Sequence, residues 1–352
     1  MHHSTAPTSA ASHLSRRRFL RGVAGLGLSA AGMALLDGCG SQPTAPPVAA
    51  ETLETTTIRL AKGVSVCLAP QYLAEETLKT EGFTEVHYVE VSDAEKSLPA
   101  GDIDINQVFA ASILPLVEAA APLVILSGVH VGCWELFGTQ QINVVSDLKG
   151  KAIAIGHLGS SQHLFVASLA AWAGMNPNTD INWVPVPVPE QGQALAEGKV
   201  DIVLAFPPTA QELRAKKIGH VILNSMMDKP WSHYFCCMVG ANREFMQQNP
   251  VATKRALRAI LHASDICARE PERVARFLVD KGYTPNYAYA LDAMKNIPYN
   301  KWREYDPADT LRFYALRLRD AGMIKSSPDE LIAKGADWRF LNELKKELTA
   351  SV

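Results

Sequence analysis

Short apolar runs alternate along this chain with longer amphipathic stretches. The runs Ile58–Leu60, Val86–Val91, Ile103–Asn106, Leu123–Val131, Ala152–Ile155 and Val200–Ala205 have the length and β-branched content of buried strands. Between them the period changes to that of helices. A helix is expected after Ser160-Ser161, carrying Leu164, Phe165, Ser168, Leu169 and Trp172 and ending at Gly174. Another opens at Asn249-Pro250, a cap followed by proline at the first helical position. Leu257, Ile260, Leu261, Ser264 and Cys267 recur on its inner face. The stretch from Asp309 to Leu348 reads as charged helix, with Arg312, Arg317 and Arg319 on a solvated side. Strands alternating with helices imply parallel α/β sheets with right-handed crossovers.

An internal repeat organises these elements. Leu98-Pro-Ala-Gly101-Asp-Ile103-Asp104-Ile105 and Leu195-Ala-Glu-Gly198-Lys-Val200-Asp201-Ile202 share five positions at a constant offset of 97 residues. Each reads as a helix end, a glycine in the left-handed position, and a short buried strand. The match runs on to Phe109 and Phe206 just past the strands. Upstream, Thr57-Ile-Arg-Leu and Ala154-Ile-Gly-His fall at the same offset and read as strands opening their units. Duplication is the reading adopted. Ligands of such sheets collect beyond the carboxyl ends of the strands, which places a cleft between Phe109 and Phe206.

The N-terminus is an address. Arg16-Arg17-Arg18-Phe19-Leu20 precedes an apolar stretch from Val23 to Leu36, a pattern of twin-arginine export and too short for a good permanent span. Leu35-Leu36-Asp37-Gly38-Cys39 resembles a bacterial lipobox, with Cys39 as the lipidated residue. The proline-rich segment that follows has the composition of a tether. The expected division is a signal over 1–38, a tether over 39–57, a first lobe from 58–137 plus 234–352, and a second lobe over 138–233. The protein is expected in the periplasm or on the outer face of the cytoplasmic membrane, held by a lipid anchor.

Composition narrows the function. The 352 residues carry 34 Lys+Arg against 36 Asp+Glu, a formal charge of −2 that argues against a nucleic-acid partner. Hydrophobic residues at 47% and charged residues at 20% describe an ordinary folded body. Six cysteines are too few for a disulfide scaffold of this length.

Asp147-Leu-Lys-Gly150-Lys151, the Gly-x-apolar-Asp strand starts, and Asn249-Pro250 opening a long helix together resemble the solute-binding proteins of ABC importers. The similarity is to the nitrate, alkanesulfonate, taurine and thiamine-pyrimidine group and spans roughly Ile58 to Tyr283. It implies a two-lobed type II periplasmic-binding fold that closes on a small-molecule ligand and docks on an inner-membrane permease. It also implies two hinge crossovers, expected near Val131–Phe137 and Tyr234–Gly240. After the first strand the chain departs from the family pattern, with Glu81-Gly82-Phe83 replacing a longer glycine-rich approach.

Candidate ligand contacts follow from position. Gly159-Ser160-Ser161 lies between a strand and a helix N-terminus, where free N–H groups, the helix dipole and two hydroxyls suit an anion, although one serine could equally be only a cap. Gln107 and Phe109 lie past one repeat strand and Phe206 past the other, so the aromatics could sandwich a planar or apolar ligand portion or be ordinary core. Trp134, Trp231 and Tyr234 fall beside the expected hinges. His163 and His130 are lone histidines, more often structural than ligand-binding. Lys62 and Arg59 could supply positive charge. The expected ligand is a small organic molecule, anionic or planar.

Cys236-Cys237 stands where the pyrimidine-synthase relatives carry a cysteine-rich, iron-associated segment, and Cys67 and Cys133 could approach the same region. Buried free thiols, an oxidised pair and a soft-metal site all remain open. A metal site would need at least three donors to converge from Cys67, Cys133, Cys236, Cys237, His130 and His163. No resident metal, other cofactor or catalytic residue is expected, and no motif of common hydrolases or phosphate-loop proteins occurs. The competing classes are a metal-dependent enzyme related to thiamine-pyrimidine synthesis and a ligand-sensing lipoprotein.

Overall fold

The computed structural model describes residues 52–63 and 65–349; Arg16, Arg17, Cys39 and the greater part of the expected tether lie outside the described residues. Ten strands carry the architecture: β1 (Thr57–Lys62), β2 (Glu85–Glu90), β3 (Ile105–Phe109), β4 (Leu123–Val131), β5 (Glu135–Gly138), β6 (Ala152–Ile155), β7 (Asn182–Pro185), β8 (Ile202–Ala205), β9 (His220–Asn224) and β10 (Phe235–Asn242). One sheet runs β7-β6-β8-β5-β9, a second β3-β10-β4, and β1 pairs with β2.

Aspartate side chains explain both the repeat and the shape. Asp104 Oδ2 accepts the N–H of Arg59 on β1 at 2.8 Å, while its own N–H donates to Arg59 O at 2.9 Å. Asp201 repeats this on Ala152, with both distances 2.8 Å. These bonds tie β1 to β3, so the first lobe reads β2-β1-β3-β10-β4 and mirrors the second in order. Ladder pairing of β3 and β8 begins after the aspartates, so both strands start two residues later than their apolar runs. The offset breaks down upstream, because 45 positions separate Arg59 from Asp104 but 49 separate Ala152 from Asp201. Thr57 and Ala154 are therefore not equivalent. Gly101 and Gly198 take φ of +83° and +68°, the left-handed turn that ends each helix.

The chain passes between lobes twice. The first crossing, Gly132 to Trp134, joins β4 to β5. The second lies in Ser225 to Tyr234, ahead of the expected Tyr234–Gly240. That apolar segment is instead the buried centre of β10, which pairs antiparallel with both β3 and β4 and so has no free edge. Ser225 holds the crossings together: its Oγ accepts from the N–H groups of Cys133 and Trp134, at 3.2 and 2.9 Å, and donates to Trp134 O.

The folded body begins before Ile58. Leu53 packs on the core, and the Glu54 carboxylate accepts from Val251 N and Ala252 N, both at 3.0 Å. Glu54 thus supplies the side-chain cap of the helix Pro250–Arg269, whereas the Asn249 side chain donates backward to Phe245 O. The face Leu257, Ile260, Leu261, Ser264 and Cys267 of that helix is buried as its spacing requires.

Candidate functional site

A cavity of about 260 Å³ lies between the lobes beyond the carboxyl ends of β1 and β3. From the first lobe Gln107, Phe109 and Glu95 reach it, from the second Phe206 and Ser161, and from the first crossing Cys133 and Trp134. Cys67, Cys236 and Cys237 complete one wall. Its rings interlock: Trp134 meets Phe109 and Phe206 edge-on, with centroids 5.7 and 5.4 Å apart. The indole Nε1 of Trp134 is buried with no partner among the described residues.

The remaining expected contacts lie elsewhere. Trp231 is buried in the core against Phe165 and Phe313, and Tyr234 stacks on Phe313 at 3.9 Å. Gly159 and His163 line a separate cavity of about 300 Å³ on the other side of Glu95. Ser160 is the helix N-cap, its Oγ accepting from His163 N. His163 Nδ1 accepts from Gly159 N at 3.0 Å, which requires a neutral ring; burial holds its pKa down to about 4. Ser161 reaches the solute cavity, but its hydroxyl donates to Glu95 Oε1 at 2.6 Å and accepts from Ser112.

Glu95 therefore stands where the sequence suggested an anion. Burial raises its carboxyl above the ordinary range, against the bond from Ser161. Its placement was missed because Asp93-Ala94-Glu95 reads as a plain helix start; only its location past the end of β2 carried a signal. Among the described residues that line the cavity the one Lys or Arg is Lys62, which pairs with Glu90 at 3.2 Å. Arg59 is engaged with Asp104.

The lobes touch at several points. Besides Ser161–Glu95, Val66 N donates to Pro207 O at 3.3 Å, and Arg214, which also pairs with buried Glu135 of its own lobe, reaches across to Asp292. The solute cavity is thus bordered by contacts between lobes.

Behind it lies a thiol cluster. A ring nitrogen of His130 and the Sγ atoms of Cys133 and Cys237 lie within 4.8 Å of one another, all buried. Cys133 Sγ is 3.1 Å from Cys236 Sγ. Hydrogen bonds from Cys133 and Cys236, with the charge of His130, hold the Cys237 thiol well below its usual value. Burial works against His130 protonation, but the Cys237 charge lifts it to about 9.

Residues 135–277 match the NMT1-like family. The nitrate/nitrite binding protein NrtA of Nostoc sp. is 26% identical over 357 residues, covering 86% of this chain and 79% of that protein. The nitrate-binding protein NrtA from Synechocystis superposes with a TM-score of 0.71 at 16% identity, over 85% of this chain and 90% of the other. The alkanesulfonate-binding protein SsuA from Xanthomonas axonopodis, bound to MOPS, gives 0.66 at 16% identity, over 82% and 100%. This is a periplasmic-binding-protein fold. The chain is homologous to NrtA, and the proteins it resembles bind solutes rather than catalyse reactions. In a periplasmic-binding-protein fold two similar lobes and two crossovers have a direct use: they let one lobe swing against the other over a bound molecule.

Proposed function

We propose that this chain is the extracytoplasmic solute-binding component of an ABC importer, delivering a small organic solute to an inner-membrane permease. The observation that carries it is the cavity lined from both lobes, with Gln107 and Phe109 on one side and Phe206 on the other. Binding energy is spent on closing the lobes rather than on a reaction. The lobes that move are proposed as 58–137 with 234–352, and 138–233, except that β5 pairs with β8 and β9 and so travels with the second lobe.

The solute is planar or partly apolar. Three aromatic rings give flat area that an inorganic ion cannot use, and Glu95 beside Ser161 opposes a bare anion there. Homology to nitrate-binding NrtA thus supports the role rather than the cargo. Titration calorimetry on the mature chain compares nitrate, taurine, alkanesulfonates, pyrimidines and aromatic acids. The expected result is tight binding of an organic member; binding confined to nitrate overturns the cargo assignment.

Export is proposed to use the twin arginines, with Cys39 as the lipid anchor. Replacing Arg16 and Arg17 by Lys should hold the precursor in the cytoplasm, and Cys39→Ala should release the mature chain from membranes. Fractionation reads both. Normal envelope delivery of the double-Lys form contradicts twin-arginine export.

A further inference from the structure

We infer that the buried thiol cluster is a binding site for one soft d10 cation, copper(I) or zinc(II). The inference rests on the cluster alone and does not depend on the solute assigned to the cavity.

Three donors from two chain segments converge there: His130 at the end of β4, Cys133 in the first crossing and Cys237 on β10, with ligand atoms within 4.8 Å of one another. That span accommodates a central ion with metal–sulfur bonds of about 2.3 Å and a metal–nitrogen bond of about 2.0 Å. His130 is already arranged as a ligand. Its Nδ1 bonds Gly132 O at 3.0 Å, the outer-shell contact that fixes ring and tautomer in metal-binding histidines. Its Nε2 is buried with no hydrogen-bond partner among the described residues, a polar atom whose isolation is costly. Cys236 Sγ, 3.1 Å from Cys133 Sγ, falls outside this set of three mutually close donors. Thiolates with one imidazole select soft cations over calcium, magnesium or manganese. Coordination displaces whatever protons the ligating thiols and His130 Nε2 carry and requires no oxidant. Because Cys133 and Cys237 also line the solute cavity, the ion would sit in its wall.

The test uses the full mature chain, purified anaerobically and reduced. Copper(I) is titrated against bicinchoninate and zinc(II) against pyridylazoresorcinol; whichever ion outcompetes its indicator identifies the cation. One ion per chain is expected, with sulfur and nitrogen neighbours in its X-ray absorption spectrum. Cys133→Ser and Cys237→Ser should each weaken uptake by more than the roughly 10–100-fold that loss of an outer-shell partner costs. Cys267→Ser, in the core of the long helix, should leave uptake unchanged. The absorption spectrum needs no variant, so the test survives a variant that fails to fold. No stoichiometric uptake of either ion by the reduced chain, or a shell of oxygen alone, overturns the inference.

Discussion

Glu95 shows how a single side chain redirects the reading of a site. The sequence offered Ser160 and Ser161 at a helix N-terminus as an anion pocket, and the carboxylate of the same chain takes that place. The energetic consequence has a definite sign. The Glu95 pKa is raised from 4.5 by burial, so the folded state keeps a proton that the unfolded chain releases. Its contribution to stability is therefore complete below 4.5 and lost as pH rises through the folded value. Glu95→Gln should remove that decline, which urea unfolding at a series of pH values reads directly. A wild-type slope that survives in E95Q would assign it to another group. Glu95 was illegible because its partners are remote in sequence: Ser161 is 66 positions away. The aromatic set was misjudged for a related reason. Phe109, Trp134 and Phe206 line the cavity, while Trp231 is core and Tyr234 packs half-buried against it, and composition and spacing demand apolar rings in both places.

At the scale of elements the sequence was far more informative. Gly101 and Gly198 were readable as left-handed turns, and the aspartates behind them as part of a duplicated unit, because both demands are local. What the aspartates do was not readable, since their bonds to Arg59 and Ala152 span 45 and 49 positions. The second crossing was misplaced because a buried strand centre and an apolar connection look alike in one dimension. The crossings themselves meet at Ser225. Truncating it to alanine orphans the buried N–H groups of Cys133 and Trp134. Ser225→Ala should lower the unfolding free energy by about 1–3 kcal/mol, measured by urea denaturation. A loss within about 0.5 kcal/mol of zero, the range typical of surface changes, would mean that the pin is dispensable.

For the whole molecule, the similar strand order of the two lobes places their ligand-facing edges opposite each other. Neither lobe encloses the cavity alone. Its closure depends on contacts between them, including Ser161 with Glu95 and Arg214 with Asp292. A solute held in this space should feel both walls. The most direct test is a calorimetric titration of the tightest organic solute against the wild type, Phe109→Ala and Phe206→Ala. Each variant removes one wall's contact, and the account predicts that both raise Kd by about tenfold or more, the 1.4 kcal/mol that one good contact supplies. An unchanged Kd in both folded variants would contradict it, because the solute would then bind outside the cleft.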